Sequence, residues 1–233
     1  MVMRTGMGWI TILAATAVFT GCASVEKITT PFNGKDLTGW KVAGDPAQSK
    51  WSVGKAVVST IDPKLLVVEK GGLEMVNAPS KFGEGVDLYS EAKFGDCHIE
   101  LELMVPKDSN SGVYVMGEYE IQVLDSFGRE KMGPGDIGAI YGAAAPSINA
   151  SRQPGQWQKF VIDFQAPKFD AAGNKTANAK FLRVELNGKV LHENLEMKGV
   201  TPGGVTGKEA ATGPIMFQGN HGPVAYRNIR ITP

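Results

Sequence analysis

Apolar and polar residues alternate along much of this chain, in short runs that are separated by glycine and proline. The clearest run covers residues 97–105, whose apolar face carries Ile99, Leu101, Leu103 and Val105. A period of two places successive side chains on opposite faces of a β-strand, so one face of this run is expected to pack on a core. No run shows a sustained helical period with capping residues, and the chain is therefore predicted to be all-β.

The same pattern predicts a series of short strands. They cover residues 51–58, 64–68, 72–76, 97–105, 112–116, 118–124, 156–164, 181–186, 189–191, 214–218 and 225–231. Tight hairpins are predicted at Met116-Gly117 and at Asn187-Gly188, the second because Asn-Gly fits a type I′ turn. Strands without intervening helices indicate two antiparallel sheets packed face to face, as in a jelly roll. The long segments 128–155 and 194–213 are expected to be functional loops.

The start of the chain resembles an export signal. After a basic residue, residues 10–19 form an apolar stretch that is too short for a resident membrane helix, and small residues precede Cys22. This pattern predicts a lipoprotein signal peptide at 1–21, lipidation of Cys22, a tether at 22–31 and a single domain at 32–233. The protein is expected in the bacterial cell envelope, held to the membrane by a lipid anchor. The alternative is an ordinary cleaved signal in which the cysteine is incidental.

Composition narrows the classes of function. Basic and acidic residues are equal in number, 24 each among 233 residues, so there is no basic excess for binding nucleic acid. This length suits one all-β domain. The sequence has 2 cysteines, Cys22 and Cys97. If Cys22 is lipidated, Cys97 has no partner for an intrachain disulfide, and a cysteine-based metal site is excluded for the same reason.

An acidic strand is the first candidate for chemistry. In a regular strand Glu118, Glu120 and Gln122 share one face, with neighbouring positions about 6.5–7 Å apart. Asp125 has the other parity and joins them only through a β-bulge near residues 123–124. Carboxylates separated by about 5–9.5 Å are the pair that cleaves glycosidic bonds. The alternative is a solvent-exposed sheet face that is simply acidic.

A second polar cluster lies near the C-terminus. It contains Gln218, Asn220, His221 and Arg227. Because glycines lie on both sides of His221, a turn is expected to carry this residue. A histidine on a turn can serve as an acid, a base or a metal ligand.

Taken together, six blocks of the sequence are similar to one family. They are Phe32–Trp40, Phe94–Asp96, Asn110–Tyr114, Tyr119–Ser126, Gly138–Gly142 and Phe217–Ile229. In this order they resemble the 3-keto-disaccharide hydrolase domain family, over about residues 31–232. The resemblance implies a concanavalin-like jelly roll, similar to family 16 glycoside hydrolases, and a 3-keto-glucoside as the substrate.

The resemblance also suggests a departure from ordinary glycosidases. Family 16 enzymes carry Glu-x-Asp-x-x-Glu on a central strand, where this chain has Glu120, Gln122 and Asp125 at the same spacing. This shortened and partly neutral set argues against ordinary retaining hydrolysis. A ketone at C3 offers another route, because it makes the C2 proton acidic and the C1 oxygen a β leaving group. Elimination followed by hydration and direct displacement at C1 both remain open.

Such chemistry needs a base, an acid and a group that stabilises an enolate. Glu120 or His221 is the candidate base, while Arg227, Tyr141 or a bound divalent cation would stabilise the enolate. The predicted catalytic residues are Glu120, His221 and Asp125. The predicted substrate-binding residues are Asn110, Tyr114, Glu118, Gln122, Tyr141, Gln218, Asn220 and Arg227. The alternatives are a lectin-like module that binds carbohydrate without turnover and a structural surface lipoprotein.

Overall fold

The computed structural model describes residues 1–2 and 29–233. The predicted signal peptide, the lipidation site at Cys22 and most of the predicted tether therefore lie outside the described residues. The strands are β1 Trp40–Val42, β2 Trp51–Val58, β3 Leu66–Asn77, β4 Leu88–Ser90, β5 Cys97–Met104, β6 Asn110–Val115, β7 Tyr119–Leu124, β8 Gln158–Gln165, β9 Lys168–Phe169, β10 Lys175–Ala177, β11 Lys180–Leu186, β12 Lys189–Glu196, β13 Met216–Phe217 and β14 Val224–Thr232. The described part of the chain has one short 3-10 helix, Pro46–Gln48, and no helix in it is long and apolar enough to cross a membrane.

Two antiparallel sheets form the body of the fold. One has five strands in the order β1-β4-β13-β6-β7, and the other has seven in the order β12-β11-β8-β5-β14-β3-β2. A small hairpin of β9 and β10 lies beside them. The fold is a concanavalin-like jelly-roll sandwich, as predicted.

Both predicted hairpins form where expected. Asn187 and Gly188 have φ angles of 53° and 76°, and Met116 and Gly117 have φ angles of 54° and 71°. At Asn187-Gly188 the loop has two residues, and two successive positive φ angles there fit the type I′ turn, whose twist matches that of the flanking strands. At Met116-Gly117 the loop has three residues, because Val115 pairs with Tyr119. The Met116-Gly117 hairpin joins β6 to β7 and sets their register. β7 is the acidic strand of the sequence analysis, and β6 is its partner.

The structure differs from the prediction in the early strands. Residues 64–68 and 72–76 were expected to be separate strands, but both belong mostly to the single long strand β3. The pairing of β2 with β3 jumps from Gly54 opposite Glu74 to Lys55 opposite Glu69. The intervening residues of β3 bulge out, and a pattern of alternation cannot distinguish such a bulge from a turn.

A stack of aromatic rings joins the two sheets in the core. Phe217 of β13 lies flat against Tyr226 of β14, with ring centroids 3.9 Å apart and planes 11° apart. Trp40 stacks on Phe217 at 5.3 Å, and Trp51 stacks on Tyr226 at 6.3 Å. Since Phe217 and Tyr226 stand on either side of His221 in the chain, their packing fixes both ends of the turn that carries this histidine.

Candidate active site

The β6–β7 hairpin forms the floor of the site. Tyr119, Ile121 and Val123 are fully buried in the core between the sheets. Because side chains alternate along a strand, Glu120 and Gln122 lie on the opposite face of the five-stranded sheet, as the sequence predicts. Across the hairpin, Tyr114 pairs with Glu120 and Gly112 pairs with Gln122.

A cavity of about 230 Å³ opens on this face. Its wall is formed by Asn110, Tyr114, Glu120, Gln122, Tyr141, Pro202, Gly203, Gln218 and His221. The structure thus brings the acidic strand and the C-terminal polar cluster together, although the strand and the cluster are far apart in the sequence. Two loop segments complete the cavity, one around Tyr141 and one around Pro202.

Glu120 is the central titratable group of the cavity. Its side chain is only 2% exposed. Burial, with a smaller contribution from the negative charge of Asp87, raises the pKa of Glu120 to about 7, while the neighbouring Tyr114 hydroxyl acts in the opposite direction. The carboxyl group therefore changes its protonation state near neutral pH, which suits a general acid or base.

The raised pKa of Glu120 predicts how stability varies with pH. The folded protein keeps this proton up to pH about 7, whereas the unfolded chain releases it near the ordinary value of 4.5. Between these values the folded state binds more protons, so the free energy of unfolding falls as the pH rises. A pKa difference of about 2.5 corresponds to a loss of about 3 kcal/mol at most.

Urea unfolding at pH 5 and pH 8 measures this effect. We expect the wild type to lose up to about 3 kcal/mol more than Glu120→Gln between the two pH values. Groups other than Glu120 titrate in both proteins and cancel in the comparison. Equal losses in the two proteins would show that the carboxyl group ionises at an ordinary pH.

His221 lies on the turn between β13 and β14, and hydrogen bonds to Asn77 and Asp87 help to hold this turn in place. The Asn77 side-chain amide donates to the carbonyl oxygens of Gly219, at 2.8 Å, and Gly222, at 3.0 Å. The Gly219 N–H donates to a carboxylate oxygen of Asp87 at 2.8 Å. Asn77 is fully buried, so its two bonds fasten both ends of the turn to β3.

The surroundings of His221 favour its neutral form. Burial lowers the pKa of His221, and the negative charge of Asp87 partly offsets this effect. The side-chain oxygen of Asn220 lies 2.5 Å from Nδ1 of His221, and because an amide oxygen only accepts, this contact favours the tautomer with a proton on Nδ1. Nε2 is then the ring nitrogen that can exchange a proton.

Asp87 is a functional candidate that the sequence prediction missed. It is half-buried, and burial raises the pKa of its carboxyl group, while the Gly219 N–H acts in the opposite direction. Its charge influences both Glu120 and His221. No sequence pattern marks it, because it precedes the three-residue strand β4 and its contact with Gly219 spans 132 positions.

Amide and hydroxyl groups surround the two titratable residues. Gln122 donates to the side-chain oxygen of Asn110 at 2.9 Å, and Gln218 donates to the Tyr114 hydroxyl at 3.4 Å. The Tyr114 hydroxyl donates to the carbonyl of Pro202 at 3.2 Å. Burial and the adjacent Glu120 hold the pKa of Tyr114 well above its usual range, so its hydroxyl stays protonated and able to donate. Such groups can bind the hydroxyls of a sugar.

Tyr141 reaches the rim of the cavity through an extra stretch of pairing beside β7. The Tyr141 N–H donates to the Glu120 carbonyl at 3.1 Å, and the Gly138 N–H donates to the Gln122 carbonyl at 2.8 Å. The Tyr141 side chain is 41% exposed. An exposed aromatic ring at the mouth of a cavity can stack on a sugar ring.

Contrary to the prediction, the structure does not bring Asp125 into the cavity. The prediction required a bulge near residues 123–124, but β6 and β7 pair in register up to Asn110 opposite Leu124. Asp125 therefore keeps the parity of the core-facing residues and lies beyond the end of the strand. Its carboxylate accepts the N–H groups of Asp108, at 3.0 Å, and Phe127, at 3.3 Å, and so caps the loop ends.

Arg227 also lies outside the cavity, contrary to the prediction. Tyr226 points into the core, so alternation places Arg227 on the outer face of the seven-stranded sheet. There its guanidinium donates to Glu102 at 2.6 Å and lies 4.0 Å from the ring centre of Trp157. It takes no part in the cavity and would not stabilise an enolate.

Glu118 and Asn220 support the site without lining it. Glu118 follows the hairpin turn, and its carboxylate accepts the N–H and hydroxyl of Thr206, each at 2.7 Å, and the N–H of Gly207 at 3.0 Å. These bonds hold the loop that places Pro202 against the cavity. The Asn220 side chain is turned toward the His221 ring. Neither residue lines the cavity, and direct binding of substrate by these two residues stays a prediction.

The described residues contain no group of three or more His, Cys, Asp or Glu side chains arranged to hold a metal ion. Glu120 and His221 are accompanied in the cavity wall by amides and tyrosines. The arrangement can carry out acid–base chemistry with these side chains themselves.

The fold and the cavity define a class of protein. A two-sheet jelly roll with a polar, partly aromatic cavity on one sheet is typical of carbohydrate-active domains. A family model extends this assignment across almost the whole chain: residues 27–232 match the 3-keto-alpha-glucoside-1,2-lyase-like domain. The chain belongs to this family, and its function is carbohydrate-active.

Solved structures support the fold. A protein of Parabacteroides distasonis ATCC 8503, described as a candidate glycosyl hydrolase, is 28% identical, with a TM-score of 0.64 over 88% of this chain and 82% of that one. A second candidate glycosyl hydrolase of the same organism is 18% identical, with a TM-score of 0.57 over 88% of this chain and 93% of that one. No curated protein sequence matches this chain.

Proposed function

We propose that this protein cleaves 3-keto-glycosides by elimination across C1 and C2, followed by hydration. The observation that carries the proposal is Glu120, a buried carboxyl group with a pKa raised to about 7, at the floor of a small polar cavity. The family's description as 3-keto-alpha-glucoside-1,2-lyase-like supports this choice over direct displacement. At about 230 Å³ the cavity lies below the range of about 300–1,000 Å³ that holds drug-sized ligands, and it suits a single sugar ring.

The proposed reaction has two stages. A base removes the proton from C2, which is acidic because C2 lies next to the C3 ketone, and the electron pair forms an enolate. The enolate expels the substituent at C1 with its oxygen, which takes up a proton, and a C1–C2 double bond conjugated with the ketone remains. Water then adds at C1 and a proton returns to C2, so the net products are 3-keto-glucose and the free leaving group.

We assign to Glu120 the removal of the proton from C2 and its return. We assign to His221 the proton transfers at the oxygen bound to C1. The reactive state has Glu120 ionised and His221 protonated on both ring nitrogens. With Nδ1 bound to Asn220, Nε2 of His221 donates its proton to the leaving oxygen. The ring, now neutral, accepts a proton from the water that adds at C1, while Glu120 returns its proton to C2. Tyr114 takes the role first considered for Arg227, because its protonated hydroxyl lies beside Glu120 and can turn from the Pro202 carbonyl to donate to the enolate oxygen. Gln122, Gln218 and the other amides of the wall bind sugar hydroxyls.

Reaction in heavy water tests the elimination. We expect the 3-keto-glucose product to carry deuterium at C2, incorporated at the rate of turnover, because the C2–H bond must break and re-form. Free 3-keto-glucose incubated without enzyme is the control for slow exchange next to the ketone. Direct hydrolysis at C1 predicts a different result. The product would keep its C2 proton, and deuteration of the substrate at C2 would not slow the reaction.

The lectin-like alternative shares the fold and the wall of amides. A binding module has no need of a buried carboxyl group with a raised pKa, since this group lowers stability at neutral pH without contributing to turnover. Incubation of the purified protein with a 3-keto-glucoside distinguishes the two functions. Binding without release of 3-keto-glucose would identify a lectin.

We also propose that the protein is anchored to the cell envelope through a lipid on Cys22. The proposal rests on the sequence before residue 29, which precedes the described domain. Cys22→Ala is expected to move the protein from the membrane fraction to the soluble fraction. A variant that stays with the membrane would contradict the proposed anchor.

A further inference from the structure

A second and larger cavity adjoins the candidate active site. It measures about 470 Å³ and shares Asn110 and His221 with the first cavity. We call it the outer groove. Its wall includes Lys64, Lys81, Phe82, Lys107, Asp108 and His221. The histidine that we assign to the C1 oxygen therefore stands on the border between the two cavities.

Phe82 is the most distinctive residue of the outer groove. Its side chain is 73% exposed, which is unusual for phenylalanine, and its ring packs edge to face on the His221 ring at 4.9 Å and 82°. The loop that carries Phe82 is tied to the histidine turn, because the Gly83 N–H donates to the Asn220 carbonyl at 2.8 Å. The exposed ring is thus held next to the proposed catalytic histidine.

Backbone packing fixes this loop further. Gly85 has a φ of 87°, and a Cβ atom at this position would lie 2.7 Å from the Gly219 carbonyl oxygen. The loop and the histidine turn therefore pack at a distance that only glycine permits. Phe82 is consequently part of a defined wall, and its exposed face is available to a ligand in the groove.

We infer that the outer groove binds the leaving group of the substrate, as a ring whose apolar face stacks on Phe82. The inference rests on the proposed function, which places the sugar in the inner cavity and His221 at the C1 oxygen. A substituent at C1 then points past His221 into the outer groove. Aromatic side chains stack on flat apolar ring faces, so both a second sugar and an aryl group fit this description.

The charged rim of the groove is compatible with a neutral, hydroxylated ring. Lys64 is paired with Asp108 at 2.9 Å, which neutralises both groups. Lys81 and Lys107 are exposed at the edge of the groove, where their ammonium groups can donate hydrogen bonds to hydroxyls. The stacking surface and the donors together favour a cyclic leaving group over a short alkyl one.

Substrates that differ only in the leaving group test the inference. The set is methyl, phenyl and glucosyl 3-keto-glucoside. The quantity compared is the kcat/KM of a ring substrate divided by that of the methyl substrate. We expect Phe82→Ala to lower this ratio by about 3- to 10-fold, because the variant loses one aromatic contact with the ring. Phe127→Ala, which removes a phenylalanine that is 51% exposed outside the groove, should leave this ratio unchanged.

The outcomes separate the two proposals. If Phe82→Ala lowers the kcat/KM ratio only for the phenyl substrate, the leaving group is an aryl group. If it lowers the ratio only for the glucosyl substrate, the leaving group is a second sugar. Either result supports binding of the leaving group in the outer groove. An equal effect of Phe82→Ala on ring and methyl substrates would overturn it.

If the wild type cleaves none of the substrates, the proposed reaction is wrong. Calorimetric titration with phenyl and methyl glucoside then tests whether the outer groove binds a ring. Tighter binding of the phenyl compound that is lost in Phe82→Ala supports the groove. Equal binding of the two compounds to the wild type refutes it.

Discussion

Glu120→Gln is expected to lower turnover of a 3-keto-glucoside by about 10²- to 10⁴-fold, the range typical of a lost general base. Glutamine has nearly the same size and can stay in the cavity, but it cannot take the C2 proton. Substrate binding should change little, because the amide still forms hydrogen bonds. The loss should therefore appear in kcat, measured by release of 3-keto-glucose, and the KM should stay within a few-fold of the wild type.

Asp125→Asn is the matched control for this experiment. Both carboxylates lie on or next to β7, yet the structure places only Glu120 in the cavity. We expect Asp125→Asn to retain turnover within about twofold, with at most a modest loss of stability from its two weakened loop bonds. If Glu120→Gln kept full turnover, or if Asp125→Asn abolished it, the assignment of the base would be wrong.

Gly112→Ala is expected to have the next largest effect. Gly112 lies on β6 below the Glu120 carboxylate, and a Cβ atom there would be 2.3 Å from the nearer carboxylate oxygen. The added methyl group must push the carboxylate away from its place. Because a displacement of about 1 Å in a reacting group can cost about 100-fold, we expect turnover to fall by about 10- to 100-fold.

The fold should survive this substitution. Gly112 has no left-handed backbone conformation to maintain, and the added Cβ would meet side chains only, the end of Glu120 and, at 3.0 Å, the edge of the Tyr114 ring. Circular dichroism and urea unfolding check that the variant is folded. Gly135→Ala is the control, since its Cβ would meet nothing within 4 Å. Full activity in Gly112→Ala would mean that the Glu120 carboxylate need not occupy its observed position.

The local sequence predicts the floor of the site well. The alternation along residues 118–124 correctly separates the core residues from Glu120 and Gln122, because parity along a strand depends only on the chain itself. The same rule places Asp125 on the wrong face, and the bulge that was invoked to recover it does not form. Arg227 fails for the same reason, since Tyr226 is buried in the core and neighbouring side chains point apart.

The rest of the site depends on contacts between distant segments. Asp87 reaches the histidine turn across 132 positions, and Asn77 reaches the same turn across 142. Each is a single polar residue in its own segment, so no local pattern marks it. The outer groove likewise depends on Phe82, which has no apolar neighbours in a periodic run and owes its role to packing on His221.

The sequence by itself determined the class of the fold, the two hairpins and the residues that can perform acid–base chemistry. These follow from alternation, turn residues and side-chain types, which are properties of short segments. Only the tertiary structure decided which of those residues meet and at what pKa. Glu120 has a pKa of about 7 because the sheet and two loops bury it near Asp87. Burial and proximity result from packing segments that the chain order keeps apart, and the strand pattern does not encode them.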